Sequence, residues 1–172
     1  LRQILIEPNK ILREKSLSVE NVDKDIQILM DDMLETMYAA PGIGLAAIQV
    51  GIPKRVIVLD IEQKEGQKNP IFLVNPEIIE KSKNNSTYEE GCLSVPGQFA
   101  EIDRPDKCHV KYLDYYGEKK EIKAEGMLAT CIQHEIDHLE GILFIDYLSK
   151  LKKTMIIKKL SKQKKAIERI VV

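Results

Sequence analysis

The sequence predicts an α+β fold in which antiparallel β-sheets pack around a central α-helix, with a further helix near each end of the chain. Two observations carry this prediction. Runs rich in β-branched residues fill the middle of the chain, and apolar residues recur at helical spacing before and after that region. Helices segregated along the chain from a block of strands are typical of the α+β class. We expect a single domain over residues 1–172, a length that can bury a substantial core.

The N-terminal helix is predicted from about residue 23 to residue 40. Its core stripe keeps three- and four-residue spacing and consists of Ile26, Leu29, Met30, Met33 and Met37. Methionine serves here as an adaptable core side chain. Pro41 and Gly42 then end the helix.

Four strands are predicted after this helix. Two of them cover residues 55–61 and 70–79, where β-branched residues are frequent. The other two cover residues 108–116 and 119–125, on either side of Gly117, and are predicted to form a hairpin.

Two helices are predicted after the strands. The central one covers residues 127–144 and has one apolar face, with Ala129, Thr130 and Gln133 on the remaining face. The last one covers about 148–172, where apolar residues lie near one stripe and lysines fill the rest.

The charge of the chain is unevenly distributed. From Lys150 onward, eight Lys and one Arg stand against one Glu, whereas the first 149 residues carry 17 basic and 26 acidic side chains. A basic C-terminal helix on an acidic body predicts a polyanionic partner such as RNA or a membrane surface.

Composition limits the class of protein. Hydrophobic residues make up 44% of the chain and charged residues 31%, as in an ordinary globular protein. The sequence has no apolar run of about 18 residues and no signal-peptide core at its N-terminus, so we expect no membrane span. Three cysteines without framework spacing predict a reducing compartment, and we expect a cytoplasmic protein.

The stretch QHEIDHLEG, residues 133–141, holds two of the three histidines. On a helix, His138 lies about 40° around the axis from His134 and Glu135 lies about 100° from it, so all three point to one side. Burying these groups without partners in an apolar face would cost roughly several kcal/mol. A divalent metal bound by both histidines satisfies them, and Glu135 in this pattern acts as a general base on water. The alternative is a buried helix with two core histidines.

A catalytic metal needs a third protein ligand, and spacing alone leaves several candidates. The metzincin pattern would place a histidine where this chain has Phe144. Cys92 lies in the stretch 89–97, which has two glycines and a proline and is expected to be irregular. Three other candidates have a strand or core explanation, namely His109, Cys108 and Cys131. A cysteine with two imidazoles leaves a fourth position open, so Cys92 is modestly favoured.

The stretch GIGLAAIQVG, residues 42–51, contains two glycines around Ile43. Gly42 and Gly44 are expected to permit a positive φ or the close approach of a ligand. The stretch lacks the third glycine of a dinucleotide-binding loop and the lysine of a P-loop, so phosphate binding is not favoured. Gln49 is a lone amide in an apolar stretch, and it lies either at the surface or in a site as a hydrogen-bond donor.

Together, three motifs resemble the peptide deformylase family. The family's GxGLAAxQ segment corresponds to Gly42–Gln49, its EGCLS segment to Glu90–Ser94, and its QHExDHLxG segment to Gln133–Gly141. The resemblance extends from the first helix to about Leu148. It implies an α+β fold with the metal-binding helix at its centre. It also implies hydrolysis of the N-formyl group from the N-terminal formylmethionine of newly synthesised proteins, which releases formate.

The resemblance also implies roles for individual residues. The metal ligands would be Cys92, His134 and His138. Glu135 would be the general acid/base, and Gln49 with the backbone N–H of Leu93 would form the oxyanion hole. The family uses Fe²⁺ in cells and also binds Zn²⁺, and cysteine and histidine ligands suit both ions.

The family's pocket for the methionine side chain corresponds to Ile43, Met127, Cys131 and Tyr88. These residues are apolar or polarizable, as a thioether requires, and they equally fit an ordinary core. Gly44 would let the small formyl group come close to the chain.

The sequence departs from the family at Phe99, where many bacterial members carry a basic residue. The departure concerns a secondary substrate contact and leaves the chemistry intact. Arg104 is expected either to pair with Glu90 or to lie at the surface.

The basic helix resembles a bacterial branch in which some members dock on the ribosome through a C-terminal helix. Its lysines would then meet ribosomal RNA phosphates, or they are simply solvated. We expect a monomer that acts on N-formylmethionyl nascent peptides.

Two other functions remain compatible with parts of the sequence. A metallopeptidase that cleaves internal bonds would use the same histidine motif, although Phe144 argues against it. A metal-stabilised ribosome-binding module would use the basic helix and would not need Glu135.

Overall fold

The computed structural model of the protein describes residues 1–63 and 66–171, the last six of these by their backbone. Within these residues, the predicted α+β class is confirmed. The α-helices are α1 (Lys24–Ala39), α2 (Gly126–Leu139) and α3 (Lys150–Val171). Short 3₁₀ helices cover Lys10–Arg13, Ala47–Val50 and Phe144–Tyr147. No helix of the described chain has the length and hydropathy needed to span a bilayer.

The strands of the described chain form two sheets. They are β1 (Gly44–Ala46), β2 (Val56–Leu59), β3 (Ile71–Lys81), β4 (Asn85–Cys92), β5 (Val95–Pro105), β6 (Lys107–Leu113) and β7 (Lys119–Glu125). One sheet has the order β1-β2-β3-β6-β7, the other consists of β4 and β5, and every pairing is antiparallel. The four strands that the sequence predicts are present as β2, β3, β6 and β7.

The second sheet corrects the expectation that residues 89–97 are irregular. β4 runs through Cys92, a two-residue turn follows, and β5 begins at Val95. The register shifts near the end of β4, and Gly97 on the opposite strand has a φ of 74°. These features mark a β-bulge within a hairpin, which bends the strand. A bulge interrupts the two-residue alternation by which strands are recognised, so the sequence pattern does not predict this hairpin.

The central helix is shorter than predicted, because it ends at Leu139 and does not continue to residue 144. Gly141 follows with a φ of 75°. Its N–H and that of the next residue bond back to the carbonyls of His138 and Asp137. This pair of bonds is a Schellman motif, and glycine adopts the required left-handed conformation without steric cost.

α2 is buried on nearly all sides, including the face that the helical wheel separates from the apolar one. Ala129, Thr130 and Gln133 are each at most 4% exposed. Strands of both sheets contact the helix, so a side chain on either side of it meets protein. Ile132 and Leu139 are fully buried, and each such side chain contributes roughly 1.5–3 kcal/mol to stability. The helix is therefore a rigid support for the polar side chains that it carries.

The C-terminal helix α3 rests on the second sheet through part of one face. It begins at Lys150, two residues later than predicted, and the N–H of Lys152 donates to Ser149 Oγ at 3.3 Å. Leu160 is buried in one cluster with Val95 and Ile102 of β5. The lysines of the helix lie mostly on its exposed sides.

Candidate active site

Three potential metal ligands from two elements meet at the end of β4. Cys92 is the last residue of that strand, and His134 and His138 lie one turn apart on α2. Their ligand atoms all lie within 4.8 Å of one another, and Cys92 Sγ is 3.4 Å from His138 Nε2. Two donors bound at about 2.0–2.3 Å to a tetrahedral ion lie roughly 3.5 Å apart. The three residues therefore fit a divalent metal.

The fold brings Cys92, and not the other candidates for the third ligand, to the two histidines. His109 lies on β6, where its Nε2 is 3.1 Å from Glu121 Oε2. Cys108 is buried in the core cluster of the five-stranded sheet. Among the described residues, the group with metal-ligand geometry consists of Cys92, His134 and His138.

A buried ionic network holds His134 in place. Its Nδ1 lies 2.8 Å from Glu90 Oε1. Because an ionised carboxylate only accepts, Nδ1 carries the proton and Nε2 is left for a metal. Arg104 donates to both oxygens of Glu90, at 2.7 and 3.0 Å, and to Asp137 at 2.8 Å. Arg104 is only 5% exposed, so it is the partner of Glu90 and not a surface residue.

The network also fixes protonation states. Burial acts to raise the pKa of Glu90, but hydrogen bonds from His134 and Arg104 outweigh it and hold that pKa below its ordinary value. Burial acts to lower the pKa of Arg104, and the bonds to Glu90 raise it instead above its ordinary value. Burial lowers the pKa of His138 well below its ordinary value, which favours the neutral imidazole that metal binding requires.

Glu135 lies next to His134 as a buried carboxylate. Burial raises the pKa of Glu135 to about 7. Within the described chain, its Oε2 has no hydrogen-bond partner. A buried carboxylate oxygen without a partner is unfavourable, and such groups in cavities are frequently functional. Glu135 Oε2 is therefore a buried, unsatisfied acceptor close to the candidate metal group.

Gln49 lies inside the site and not at the surface, since only 1% of it is exposed. Its Oε1 accepts from the N–H of Ala46 at 2.9 Å, which fixes the orientation of the amide. Its Nε2 then donates to Ser94 Oγ at 3.0 Å and makes a longer contact of 3.5 Å with Cys92 Sγ. The amide nitrogen of Gln49 therefore lies beside both Ser94 and Cys92, the cysteine of the candidate metal group.

The two glycines of the first motif make room for side chains of the site. Neither Gly42 nor Gly44 has a positive φ, so the expected backbone freedom is not the reason for them. A Cβ at Gly44 would lie 2.6 Å from Glu135 Oε1. A Cβ at Gly42 would lie 2.7 Å from Leu93 Cδ1. Gly44 thus allows β1 to pack directly against Glu135, and Gly42 allows the preceding turn to pack against Leu93.

A cavity of about 560 Å³ opens beside His134 and Glu135. Its wall includes the five residues that the sequence assigns to substrate binding: Ile43, Gly44, Tyr88, Met127 and Cys131. Cys131 is buried, whereas Ile43 and Met127 are exposed, so the cavity is closed at the helix and open at its rim. Phe99 also borders it, 64% exposed, with its ring lying over the Cα of Gly91.

Comparison with known proteins now identifies the family. The family model for polypeptide deformylase matches residues 1–154. The chain belongs to the peptide deformylase family. The peptide deformylase of Pelagibacter ubique (strain HTCC1062) is 67% identical to it over 164 residues, which are 95% of this chain and 95% of the relative.

Solved structures of deformylases have the same fold. The structure from Ehrlichia chaffeensis has a TM-score of 0.90 at 44% identity and covers 95% of this chain and 97% of its own. The structure from Legionella pneumophila has a TM-score of 0.89 at 46% identity and covers 98% of both chains. The Ehrlichia chaffeensis protein has also been solved in complex with actinonin, with a TM-score of 0.89 at 47% identity and coverage of 95% of this chain and 97% of that one.

As a deformylase, the chain is an enzyme that removes the N-formyl group from the N-terminal formylmethionine of nascent peptides. The family and the group Cys92, His134 and His138 together support a divalent metal. The metallopeptidase and the non-enzymatic ribosome-binding module are therefore set aside.

Thr130 is among the residues of the deformylase cavity that were not expected from the sequence. Thr130 borders the cavity, although the helical wheel places it away from the apolar face. The signal was present, because Thr130 precedes His134 by four residues and so lies one turn along the same side of α2. A wheel that sorts residues by polarity alone discards it.

Proposed function

We propose that Glu135 is the general acid/base of the deformylation, and that Gln49 and the backbone N–H of Leu93 form the oxyanion hole. The metal ligands in this proposal are Cys92, His134 and His138. The observation that supports it most is the unpartnered, buried carboxylate of Glu135 beside that ligand group. A general base next to a three-residue metal group is an arrangement that catalyses the hydrolysis of an amide by water.

We assign Fe²⁺ to this site, one ion per chain, with Zn²⁺ or another divalent metal able to substitute. Thiolate and imidazole ligands suit both ions, and three protein ligands leave a position open. A divalent ion held here supplies Lewis acidity and makes a water molecule nucleophilic near neutral pH. The hydrogen bond between His134 Nδ1 and Glu90 supports a bound divalent metal of either kind, because such bonds orient imidazole ligands.

Glu135 moves the protons of the reaction in this proposal. Its ionised carboxylate takes a proton from the water whose oxygen bonds to the formyl carbon. It then donates that proton to the peptide nitrogen as the carbon–nitrogen bond breaks, which yields formate and a free N-terminal amine. A pKa of about 7 suits a group that must first accept and then release a proton near neutral pH.

Gln49 and Leu93 stabilise the negative charge that develops on the formyl oxygen. Gln49 keeps one N–H on Ser94 Oγ, and the N–H that makes the longer 3.5 Å contact with Cys92 Sγ is the one that turns to the oxygen. Leu93 directly follows Cys92, so its backbone N–H lies at the same end of the cavity. Removing one donor of this kind typically lowers kcat by about 10²–10³-fold.

The methionine side chain of the substrate binds in the cavity. Its wall in this proposal is formed by Ile43, Gly44, Tyr88, Met127 and Cys131. Burial raises the pKa of the Cys131 thiol well above its ordinary value, so this residue stays neutral and presents a soft, apolar surface.

The enzyme works in the cytoplasm as a monomer in this proposal and docks on the ribosome through α3. The three free cysteines of the described chain are consistent with a reducing compartment. The lysines that would face ribosomal RNA are Lys150, Lys152, Lys153, Lys158, Lys159, Lys162, Lys164 and Lys165. Contacts of this kind weaken as salt concentration rises.

The first experiment is formate release from a formyl-methionyl tripeptide by protein loaded anaerobically with Fe²⁺. Matched controls are the same tripeptide without the formyl group and the protein after removal of iron with a chelator. Release that requires both the formyl group and the metal supports the proposal. No release, with one iron bound per chain, contradicts it.

A further inference from the structure

Residues 4–7 form an irregular segment, here called the N-terminal strap, that bonds to two separate parts of the site. The N–H of Leu5 donates to the carbonyl of Gln49 at 2.7 Å, and the N–H of Glu7 donates to the carbonyl of Ser94 at 2.9 Å. Gln49 lies in the 3₁₀ helix that follows β1, whereas Ser94 lies in the turn between β4 and β5. The strap therefore joins two motifs that are 45 residues apart in the chain.

A side-chain bond closes these contacts into a ring. Gln49 Nε2 donates to Ser94 Oγ at 3.0 Å, and both residues are at most 1% exposed. The ring runs from Leu5 to Gln49, across to Ser94, and back through Glu7. Because hydrogen bonds in such a network reinforce one another, the strap restrains Gln49 relative to the turn that holds Leu93 and Ser94.

The strap is held on both sides by further contacts. Before it, the N–H of Arg2 donates to Thr36 Oγ1 of α1 at 3.0 Å. At its other end, Glu7 is 6% exposed and its Oε1 lies 3.4 Å from Arg13 Nη2. Arg13 also donates to the carbonyl of Gly141, just beyond α2, at 3.3 Å. An irregular segment near a chain end stays ordered when contacts of this kind tie it down, so the strap can support the residues that it bonds.

We propose that the N-terminal strap positions the oxyanion hole, with Leu5 acting through Gln49 and Glu7 acting through Ser94. A Gln49 amide that gives one N–H to Ser94 Oγ presents the other at a fixed angle, and the strap sets where both residues lie. An oxyanion donor is effective when it lies about 2.7–3.1 Å from the developing charge, so a small displacement lowers kcat. The inference rests on the proposed function, because it takes Gln49 as a donor of the oxyanion hole.

The test replaces single amides of the strap by esters in the full-length, iron-loaded enzyme, which removes one N–H and keeps every side chain. An ester at Leu5 removes the donor to Gln49. An ester at Ile6 is the matched control, because the Ile6 N–H makes no backbone hydrogen bond within the described chain. We expect the ester at Leu5 to lower kcat for a formyl-methionyl tripeptide by about two- to ten-fold, the range of one neutral hydrogen bond. KM and iron content should stay at the parent values, since the lost interaction belongs to the transition state. The ester at Ile6 should keep the parent kcat.

Gln49→Leu provides the readout that a merely structural role would not move. This variant removes the proposed donor and is expected to lower kcat by about 10²–10³-fold. The ester at Leu5 should then lower kcat no further, because residues that act through one another are not additive. A strap that only stabilised the fold would lower kcat by the same factor in both backgrounds.

Ser94→Ala tests the other link of the ring and serves where the ester at Leu5 prevents folding. It removes the oxygen that accepts from Gln49 Nε2, so kcat should again fall by about two- to ten-fold, and only while Gln49 is present. Ser16→Ala is its control. Ser16 is also a buried serine, and its Oγ has no hydrogen-bond partner among the described residues, so its removal should leave kcat unchanged.

The inference is overturned where the esters at Leu5 and Ile6 give the same kcat, or where the ester at Leu5 and Ser94→Ala act equally with and without Gln49. A Gln49→Leu variant with the parent kcat contradicts the oxyanion hole of the proposed function and the role of the strap with it. Absence of formate release from the parent enzyme contradicts the proposed function as a whole. The failure of the strap alone is therefore distinguishable, because Gln49→Leu then still lowers kcat.

Discussion

The helices α2 and α3 carry their charged groups in opposite ways. On α2, Glu135 and His134 are buried, and His134 is tied to the Glu90–Arg104 pair by bonds of 2.7 to 3.0 Å. On α3, the lysines with described side chains lie mostly on exposed sides, and Lys153 is the one among them in an ion pair, 2.7 Å from Asp146.

This difference separates two kinds of electrostatic contribution. A buried charge depends on its particular partner, because removal of the partner leaves it desolvated and unpaired. An exposed charge acts through the summed field of its neighbours, in which single positions matter little. Position should therefore decide the effect of a substitution near α2, and the number of charges should decide it on α3.

The largest effect is expected for Glu135→Gln. The amide cannot accept and return the proton, so formate release should fall by about 10²–10⁴-fold. Iron content should stay at one per chain, because Glu135 is not a proposed ligand. The measurement is steady-state formate release together with metal analysis of the same sample.

Glu140→Gln is the matched control, since Glu140 follows the same helix and is exposed. We expect its rate to stay within a factor of about two of the parent, as for ordinary surface substitutions. Equal losses in both variants would show that position near α2 does not decide the effect.

The next effect concerns Arg104→Met. Glu90 and Asp137 then lose a cation that donates to both of them at 2.7 to 3.0 Å, and Glu90 stays buried. Breaking a buried pair from one side typically costs about 3–5 kcal/mol in the free energy of unfolding. Metal affinity should also fall by about 10–100-fold, because Glu90 orients His134. Urea unfolding and a metal-competition titration measure the two losses.

Lys111→Met is the control for this pair. Lys111 lies 3.5 Å from Glu77 on the sheet surface, and both side chains are more than half exposed. An exposed pair is worth about 0–1 kcal/mol, so the variant should unfold almost as the parent does. A loss below about 1 kcal/mol in Arg104→Met would remove the distinction between buried and exposed pairs.

The sequence predicts the part of the site that one helix carries. His134, His138 and Glu135 lie on one side of α2 as their spacing requires. The assignment of Cys92 from spacing was weaker, because the strand that ends at Cys92 contains a bulge and lacks the regular alternation of a strand. The packing of this hairpin against α2, which is distant in sequence, brings Cys92 to the histidines, and residue spacing does not record that packing.

The surroundings of α2 were predicted less well for the same reason. A helical wheel shows which residues share a side, but it does not show that β4 and β5 cover the second side. The sequence offers two positions for Arg104, paired with Glu90 or at the surface, and only the packing of that sheet decides between them. The end of α2 at Leu139 could have been predicted from the sequence, because Gly141 follows it and a Schellman motif favours glycine at that position.

A smaller effect is expected at Asp146. Its carboxylate pairs with Lys153 of α3 and with Arg13, which lies outside that helix. Burial acts to raise the pKa of Asp146, but hydrogen bonds from Lys153 and Arg13 outweigh it and hold that pKa below its ordinary value. The ionised form therefore stabilises the folded state at every pH above the unfolded pKa of about 3.9. This contribution is lost as pH falls from there through the folded pKa.

Asp146→Asn should remove that contribution. The difference in unfolding free energy between parent and variant should be constant from about pH 7 to pH 5 and should shrink below about pH 4. Urea unfolding at each pH measures it. A difference that stays constant or grows on acidification would mean that Lys153 and Arg13 do not stabilise the ionised form.

The smallest effect on catalysis is expected from the exposed lysines of α3. One triple variant replaces Lys158, Lys159 and Lys162 with Gln, and a second replaces Lys150, Lys152 and Lys164. Both should hydrolyse the formyl tripeptide at the parent rate, because none of these residues borders the cavity. Both should weaken binding to purified ribosomes.

The comparison between the two triple variants tests whether number alone decides the effect on α3. The plot of log affinity against log salt concentration has a negative slope, and each lost phosphate contact makes it less steep by about 0.7–0.9. The magnitude of the slope should therefore fall by roughly two to three in each triple variant. Equal losses mean that α3 acts as a line of charge, in contrast to α2. A loss confined to one variant would instead show a specific docking face on α3, and position would then govern both helices.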